Sequence, residues 1–151
     1  MLKFFIGLAA GFVLGILVCV GGLLLFGMSY TGPQLHAAAT VPDAVVAGED
    51  FEMIIEVSNP HDEVVEFDNF DVADEIFEQF SLEPALNVGE AVGGFGSQTW
   101  YFDQSIEPGK TEKYTFYARA ANPGIQVLTF DICNSYEDCT TLVVEVNVLA
   151  P

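Results

Sequence analysis

The sequence predicts one all-β sandwich placed behind a single N-terminal transmembrane α-helix. Three observations predict it. Residues 4–28 form an apolar run with no charged side chain. From residue 40 onward, short apolar runs are cut by Gly, Pro, Asn and Asp at the spacing of strands and turns. Two cysteines, Cys133 and Cys139, bracket a five-residue loop late in that region.

The apolar run reads FFIGLAAGFVLGILVCVGGLLLFGM. As a helix it spans roughly 37 Å, against a hydrocarbon core of about 30 Å. A helix also satisfies its own backbone donors and acceptors, which lipid cannot do. The rival is a cleavable signal peptide, whose apolar region is about 7–15 residues long and closely followed by small residues. Here the run is longer, and the A-x-A candidate, Ala37-Ala38-Ala39, lies well past its end. An uncleaved anchor is therefore expected, with cleavage near Ala39 as the alternative. Bulky Ile16, Leu17 and Val18 rule out a lipoprotein site at Cys19. Lys3 and the amino terminus are the positive groups before the run, which keeps that end cytoplasmic and the remainder extracytoplasmic. The expected organisation is an anchor over 1–28, a juxtamembrane linker over 29–40 and the sandwich over 41–151.

Within the run Gly7, Gly11 and Gly15 recur every fourth residue and share one helix face. Such a face lets a second helix approach closely, so a membrane-protein partner or self-association is expected. Cys19, in mid-span, reads as a small packing residue.

Past the run, Lys110, Lys113 and Arg119 stand against all 22 acidic residues, a formal charge near −19. That argues against nucleic acid and anionic headgroups as partners. It favours solubility, divalent cations or a basic protein surface, and is equally compatible with a high-salt habitat.

The strands come in order. Ala44–Val46 is brief and is turned by Ala47-Gly48-Glu49-Asp50. In Phe51–Ser58, Phe51, Met53, Ile55 and Val57 face one way and mostly polar residues the other, the pattern of a half-buried antiparallel strand. Asn59-Pro60-His61-Asp62 is a turn. Val64–Val72 breaks parity between Phe67 and Phe70, which predicts a bulge. Ala73–Phe77 fits one helical turn, Phe80–Leu82 a short strand, and glycine-rich Leu86–Ser97 a surface loop. Thr99–Phe102 brings the single Trp100 to the core. Glu107-Pro108-Gly109-Lys110 and Asn122-Pro123-Gly124 place Pro before Gly, as a type II turn requires. The strands around them carry Tyr114, Phe116 and Ala118, then Leu128, Phe130 and Ile132, then Leu142, Val144, Val146 and Val148 on their core faces.

By the same parity Cys133 and Cys139 fall on the non-core face at the two ends of the loop 134–138. An exported pair so placed predicts a cross-hairpin disulfide, worth roughly 2 kcal/mol by loop closure.

No catalytic constellation emerges. Residues 62–78 hold eight acids and no base. This reads as a solvated acidic face, with a divalent site at Asp68, Asp71 and Asp74, calcium being the candidate, as the sharper alternative. The spacing does not match an EF-hand, and the loop 88–97 lacks the Gly-Lys-Ser/Thr ending of a phosphate loop. A copper site of the cytochrome oxidase subunit II type needs cysteines four apart with His and Met close by; here the spacing is six and neither comes after Cys139. His36 in the linker and His61 in a turn leave a Ser-His-Asp arrangement without a nucleophile motif. Paired carboxylates remain a minor hydrolase alternative.

The segments VVAGEDFEMIIEVSNP and IEPGKTEKYTFYARAANPG resemble bacterial and archaeal extracytoplasmic immunoglobulin-like domains of the CARDB kind over about 43–149. The resemblance implies an immunoglobulin-like sandwich of about seven antiparallel strands, with an adhesion or assembly role by analogy. It transfers no functional residue. The expected protein is a non-catalytic accessory or structural subunit of a membrane complex, held through the glycine face. The alternative is a stand-alone surface domain that binds a ligand or divalent cation through its acidic side.

Overall fold

The computed structural model describes residues 32–151 except 86, 87, 90, 95, 136 and 137. The apolar run, with Gly7, Gly11, Gly15 and Cys19, lies outside the described residues. Among the described residues no helix is long and apolar enough to cross a membrane.

Among the described residues ten strands form two sheets. They are β1 (His36–Thr40), β2 (Val45–Val46), β3 (Asp50–Ser58), β4 (Val65–Ala73), β5 (Phe80–Pro84), β6 (Ala91–Gly94), β7 (Ser97–Ile106), β8 (Thr111–Ala120), β9 (Gly124–Asn134) and β10 (Cys139–Leu149). A 3-10 helix over Asp74–Glu78 comes after β4. The smaller sheet has the order β1-β3-β8-β5 and the larger β2-β10-β9-β4-β7-β6. The pairings between β-strands are antiparallel except β2 with β10, which run parallel where the entering chain crosses from the smaller sheet to the larger.

The alternation in β3 is realised: Phe51, Met53, Ile55 and Val57 are buried. The parity break in β4 is also realised, because Asp68 is an extra residue against β9. Phe67 pairs with Asn134 and Asn69 with Cys133, so two steps on β4 match one on β9. The bulge thereby turns both Phe67 and Phe70 inward. Phe70 is fully buried and touches five rings: Phe67 and Phe102 at 4.9 Å, Tyr114 at 5.3 Å, Phe116 at 5.9 Å and Phe130 at 6.4 Å. These rings come from four strands of both sheets, so Phe70 is the centre of the core. Trp100 packs edge-on against Phe116 at 5.4 Å, in the core position that its strand predicts. The Pro108-Gly109 turn is closed by Lys110 N donating to Glu107 O, with Gly109 at φ 67°.

Two segments differ from expectation, which raises the strand count above seven. His36–Thr40, read as linker, is strand β1, paired with β3 from His36↔Ser58 to Thr40↔Ile54. Leu35, just before it, is buried, so the sandwich begins at Pro33 rather than 41. Small Ala37, Ala38 and Ala39 carry too little apolar contrast to mark a strand. Ala91–Gly94, read as loop, is edge strand β6, paired with β7. Its neighbour Gly89 is required by close approach, since a side chain there would meet the Tyr101 carbonyl oxygen at 2.6 Å.

Tyr114 gives the fold a readable titration. Its ring is buried and its hydroxyl donates to Gln104 Oε1 at 3.1 Å. Burial first, then the charge of Glu112, pushes its pKa far above the usual tyrosine value. A group with a raised folded pKa stabilises the native state below its unfolded pKa and loses that contribution as pH rises through the folded one. Ultraviolet titration should therefore leave the Tyr114 ring neutral well above pH ~10, and stability should fall from about that pH upward. Tyr114→Phe should remove the late-titrating ring and flatten the alkaline fall; an unchanged titration would place the raised group elsewhere.

Candidate functional site

The chain's polar chemistry collects in three places: one end of the sandwich, the outer face of the smaller sheet and the outer face of the larger.

At the end where β1 begins, two asparagines are buried. Asn59, read as an ordinary turn residue, ties two loops together. Its Nδ2 donates to Glu63 O at 2.7 Å and to Ile106 O at 2.8 Å, while its Oδ1 accepts from His61 N at 2.9 Å. Asn134 closes the β9–β10 hairpin by accepting from Asp138 N at 3.0 Å, and its Nδ2 donates to Pro33 O at 2.9 Å. Beside it, Thr140 Oγ1 donates to Leu35 O at 2.7 Å, and His61 Nε2 lies 2.9 Å from Gln34 O. Three successive carbonyls of the entering chain, Pro33, Gln34 and Leu35, thus meet side chains from β9, the β3–β4 turn and β10. Hydrogen bonds over 27 to 105 residues of sequence separation leave no local pattern to read.

Cys133 and Cys139 form the expected disulfide and are direct cross-strand partners, with Cα atoms 4.0 Å apart. Both point away from the core, yet Cys133 is buried, lying across the ladder between Asn69 of β4 and Cys139 of β10.

The outer face of the smaller sheet carries two cross-strand ion pairs, with Glu52 and Glu83 beside them. Arg119 grips Asp50 through Nε and a terminal nitrogen, at 2.7 and 2.9 Å, and Lys113 pairs with Glu56 across β8 and β3. The Arg119 hydrogen bond holds the Asp50 carboxyl below its ordinary value, and Asp50 in turn raises Arg119. Both partners are exposed, so the pair is solvent-screened and adds little stability. Arg119 also borders two shallow depressions of about 420 and 150 Å³ that share Ser81. Its guanidinium is committed to Asp50 at their rim.

The larger sheet is different. None of its six strands contains Lys, Arg or His. Across its outer face Asp71 of β4 stands directly opposite Asp131 of β9. Each accepts a threonine hydroxyl from the strand beyond it: Thr99 at 2.7 Å and Thr141 at 2.6 Å. Two like charges directly opposite destabilise a ladder, and the hydroxyls offset part of that cost. Asp68 sits at the bulge with Asn69 Nδ2 on its carboxylate at 2.8 Å, and Asp74 opens the 3-10 helix. Among the described residues no three His, Cys, Asp or Glu side chains converge on a common metal position. Asp68, Asp71 and Asp74 are therefore not brought together as calcium ligands. The bulge and the start of the 3-10 helix interrupt the regular spacing that a shared face would need.

Next to this acidic row the same face exposes aliphatic side chains. Val143 is 59 % exposed, Val127 41 %, Ile125 66 % and Leu149 49 %. The register places Val143 diagonal to Val127, Ile125 two residues along from Val127, and Leu149 diagonal to Ile125 and opposite Val46. Diagonal neighbours lie about 7–8 Å apart, within reach of one another. They make a continuous aliphatic band along β9 and β10, with Glu145 and Asn147 beside it.

Comparison with known proteins adds the fold. No protein-family model matches the sequence, and no curated protein matches it. Among solved structures the chain is similar to a cohesin module from a Clostridium perfringens family 33 glycoside hydrolase, at 11% identity and TM-score 0.56, covering 78% of this chain and 98% of that one. It is also similar to a CARDB domain from Pyrococcus furiosus, solved in complex with di-metal ions. That match has 16% identity and TM-score 0.50, and covers 80% and 91% of the two chains. A red sea bream transglutaminase matches at 16% identity and TM-score 0.51, covering 79% of this chain and 15% of that one. The chain thus resembles CARDB-like, immunoglobulin-like β-sandwich domains, and the likeness is one of fold.

Proposed function

We propose that this protein is a non-catalytic, membrane-anchored interaction protein whose sandwich presents the outer face of its larger sheet to a protein partner. The observation that carries this reading is the aliphatic band on a sheet without a single basic residue. Exposed aliphatic side chains scattered singly need no explanation, whereas a contiguous run beside uncompensated acids is the composition of a docking face. Lys113 and Arg119 of the smaller sheet sit in cross-strand ion pairs, whereas the strands of the larger sheet hold no Lys or Arg. A partner that brings apolar side chains ringed by Lys or Arg would complement it.

The entering chain supports retention of the anchor. Cleavage near Ala39 would cut β1 in mid-strand and remove buried Leu35 with the three clamped carbonyls. The apolar run then acts as a single-pass anchor with the sandwich outside the cytoplasm, and its Gly7, Gly11 and Gly15 face is a second, helix-to-helix contact.

The test is a mild-detergent pull-down of the tagged full-length protein beside Val143→Asp and Gly11→Leu. A stoichiometric companion is expected with the wild type, lost by tenfold or more with Val143→Asp, on the order of 1.4 kcal/mol in affinity. Gly11→Leu reports separately whether the helix face contributes. A companion captured equally by wild type and Val143→Asp would overturn the assigned face, and the absence of any companion would overturn the interaction role.

A further inference from the structure

The disulfide sits beside the clamp on the entering chain. Cys133 immediately precedes Asn134, whose Nδ2 holds Pro33 O, and Cys139 immediately precedes Thr140, whose Oγ1 holds Leu35 O. One covalent bond therefore reinforces the β9–β10 ladder at the two residues that grip the chain on either side of Gln34. The bond lies on the outer face of the hairpin, with Cys139 exposed, while the aromatic core around Phe70 lies on the other side of the sheet. Leu35 is buried in the core cluster, and its carbonyl is one of the two gripped there.

We infer that Cys133–Cys139 is a redox lock on the N-terminal entry segment: its reduction loosens residues 33–40 locally while the sandwich stays folded. An external dithiol supplies the chemistry. One of its thiolates attacks a sulfur of the pair, the Cys133–Cys139 bond breaks, and the second thiolate displaces the mixed disulfide. The dithiol leaves oxidised as its own disulfide, and Cys133 and Cys139 each end as thiols. Loss of the cross-link returns conformational freedom to the hairpin end. The ladder that carries Asn134 and Thr140 against Pro33 and Leu35 then loses that reinforcement. His61, which meets Gln34 O from the β3–β4 turn, is unaffected, so the opening is partial and confined.

Hydrogen exchange on the full-length protein in detergent tests this, with and without a dithiol. Amides in 34–40 should exchange roughly tenfold to thirtyfold faster when reduced, the upper figure being the loop-closure contribution of so short a cross-link. Peptides from β4 and β8 should keep their protection, and Trp100 emission should not move. Thr140→Val, which removes one clamp donor and leaves the disulfide intact, should produce the same local signature in the oxidised protein. Unchanged exchange in 34–40 on reduction would overturn the lock, and so would protection lost across the whole sandwich, which would make the disulfide a global staple. A silent Thr140→Val would also overturn it, because the grip on Leu35 would then lie elsewhere.

Discussion

Replacing Phe70 by alanine should destabilise the sandwich by about 3–5 kcal/mol, the range for deleting a fully buried aromatic side chain. The upper part of that range is expected because Phe70 is not merely buried. Its ring meets Phe67, Phe102, Tyr114, Phe116 and Phe130, from β4, β7, β8 and β9. Those neighbours belong to opposed sheets held by their own backbone ladders, so they cannot all collapse into the space vacated. Denaturant unfolding followed by the emission of Trp100, the single tryptophan, reads the loss directly. Phe77→Ala is the control: Phe77 is partly exposed and packs its ring against Trp100 at 6.3 Å, at the edge of the core. A cost at Phe70 no greater than at Phe77 would mean that the rings repack freely and that the core has no centre.

Asn59→Ala should cost about 3 kcal/mol, which is unusual for a residue between a strand and a turn. The side chain makes three hydrogen bonds at 2.7, 2.8 and 2.9 Å in a buried position. Alanine abandons Glu63 O, Ile106 O and His61 N together, and a buried group left without its partner costs about 1–3 kcal/mol. The same change should loosen the turn that carries His61 and so weaken its contact with Gln34 O. Asn122→Ala, at an exposed turn, should stay within about 0.5 kcal/mol. Equal effects at the two asparagines in thermal unfolding would show that Asn59 acts only as a turn former.

Much of the fold is legible from the chain because period-two alternation is a local signal. Phe51, Met53, Ile55 and Val57 announce β3, and the broken parity between Phe67 and Phe70 announces the bulge at Asp68. The disulfide is legible for the same reason: parity puts both cysteines on one side, and the loop length puts them at one level. β1 and β6 are not legible. Ala37–Ala39 and Gly93–Gly94 carry too little side-chain contrast, and they are strands only because β3 and β7 offer them backbone partners. The candidate site divides along similar lines. Val143 is marked as outward-facing by parity, but its continuity with Val127, Ile125 and Leu149 depends on the pairing register of β9 with β10. The acidic count of residues 62–78 is visible in the chain, while the pairing of Asp71 with Asp131 across strands, rather than with Asp68 or Asp74 along it, is not.

Local sequence alone dictates the apolar N-terminal run, the all-β character of residues 41–151, the inward set of each long strand and the cysteine pair. These are properties of neighbouring residues, and the two-residue period of a strand converts them into structure without reference to the rest of the chain. Tertiary packing is needed to clamp Pro33–Leu35 between Asn134, His61 and Thr140. It also buries Asn59, commits Arg119 and Lys113 to Asp50 and Glu56, and leaves the larger sheet a cation-free face with a continuous aliphatic band. Each of those depends on which strands become neighbours. That is set by the global packing of two sheets around Phe70, which no window of sequence contains.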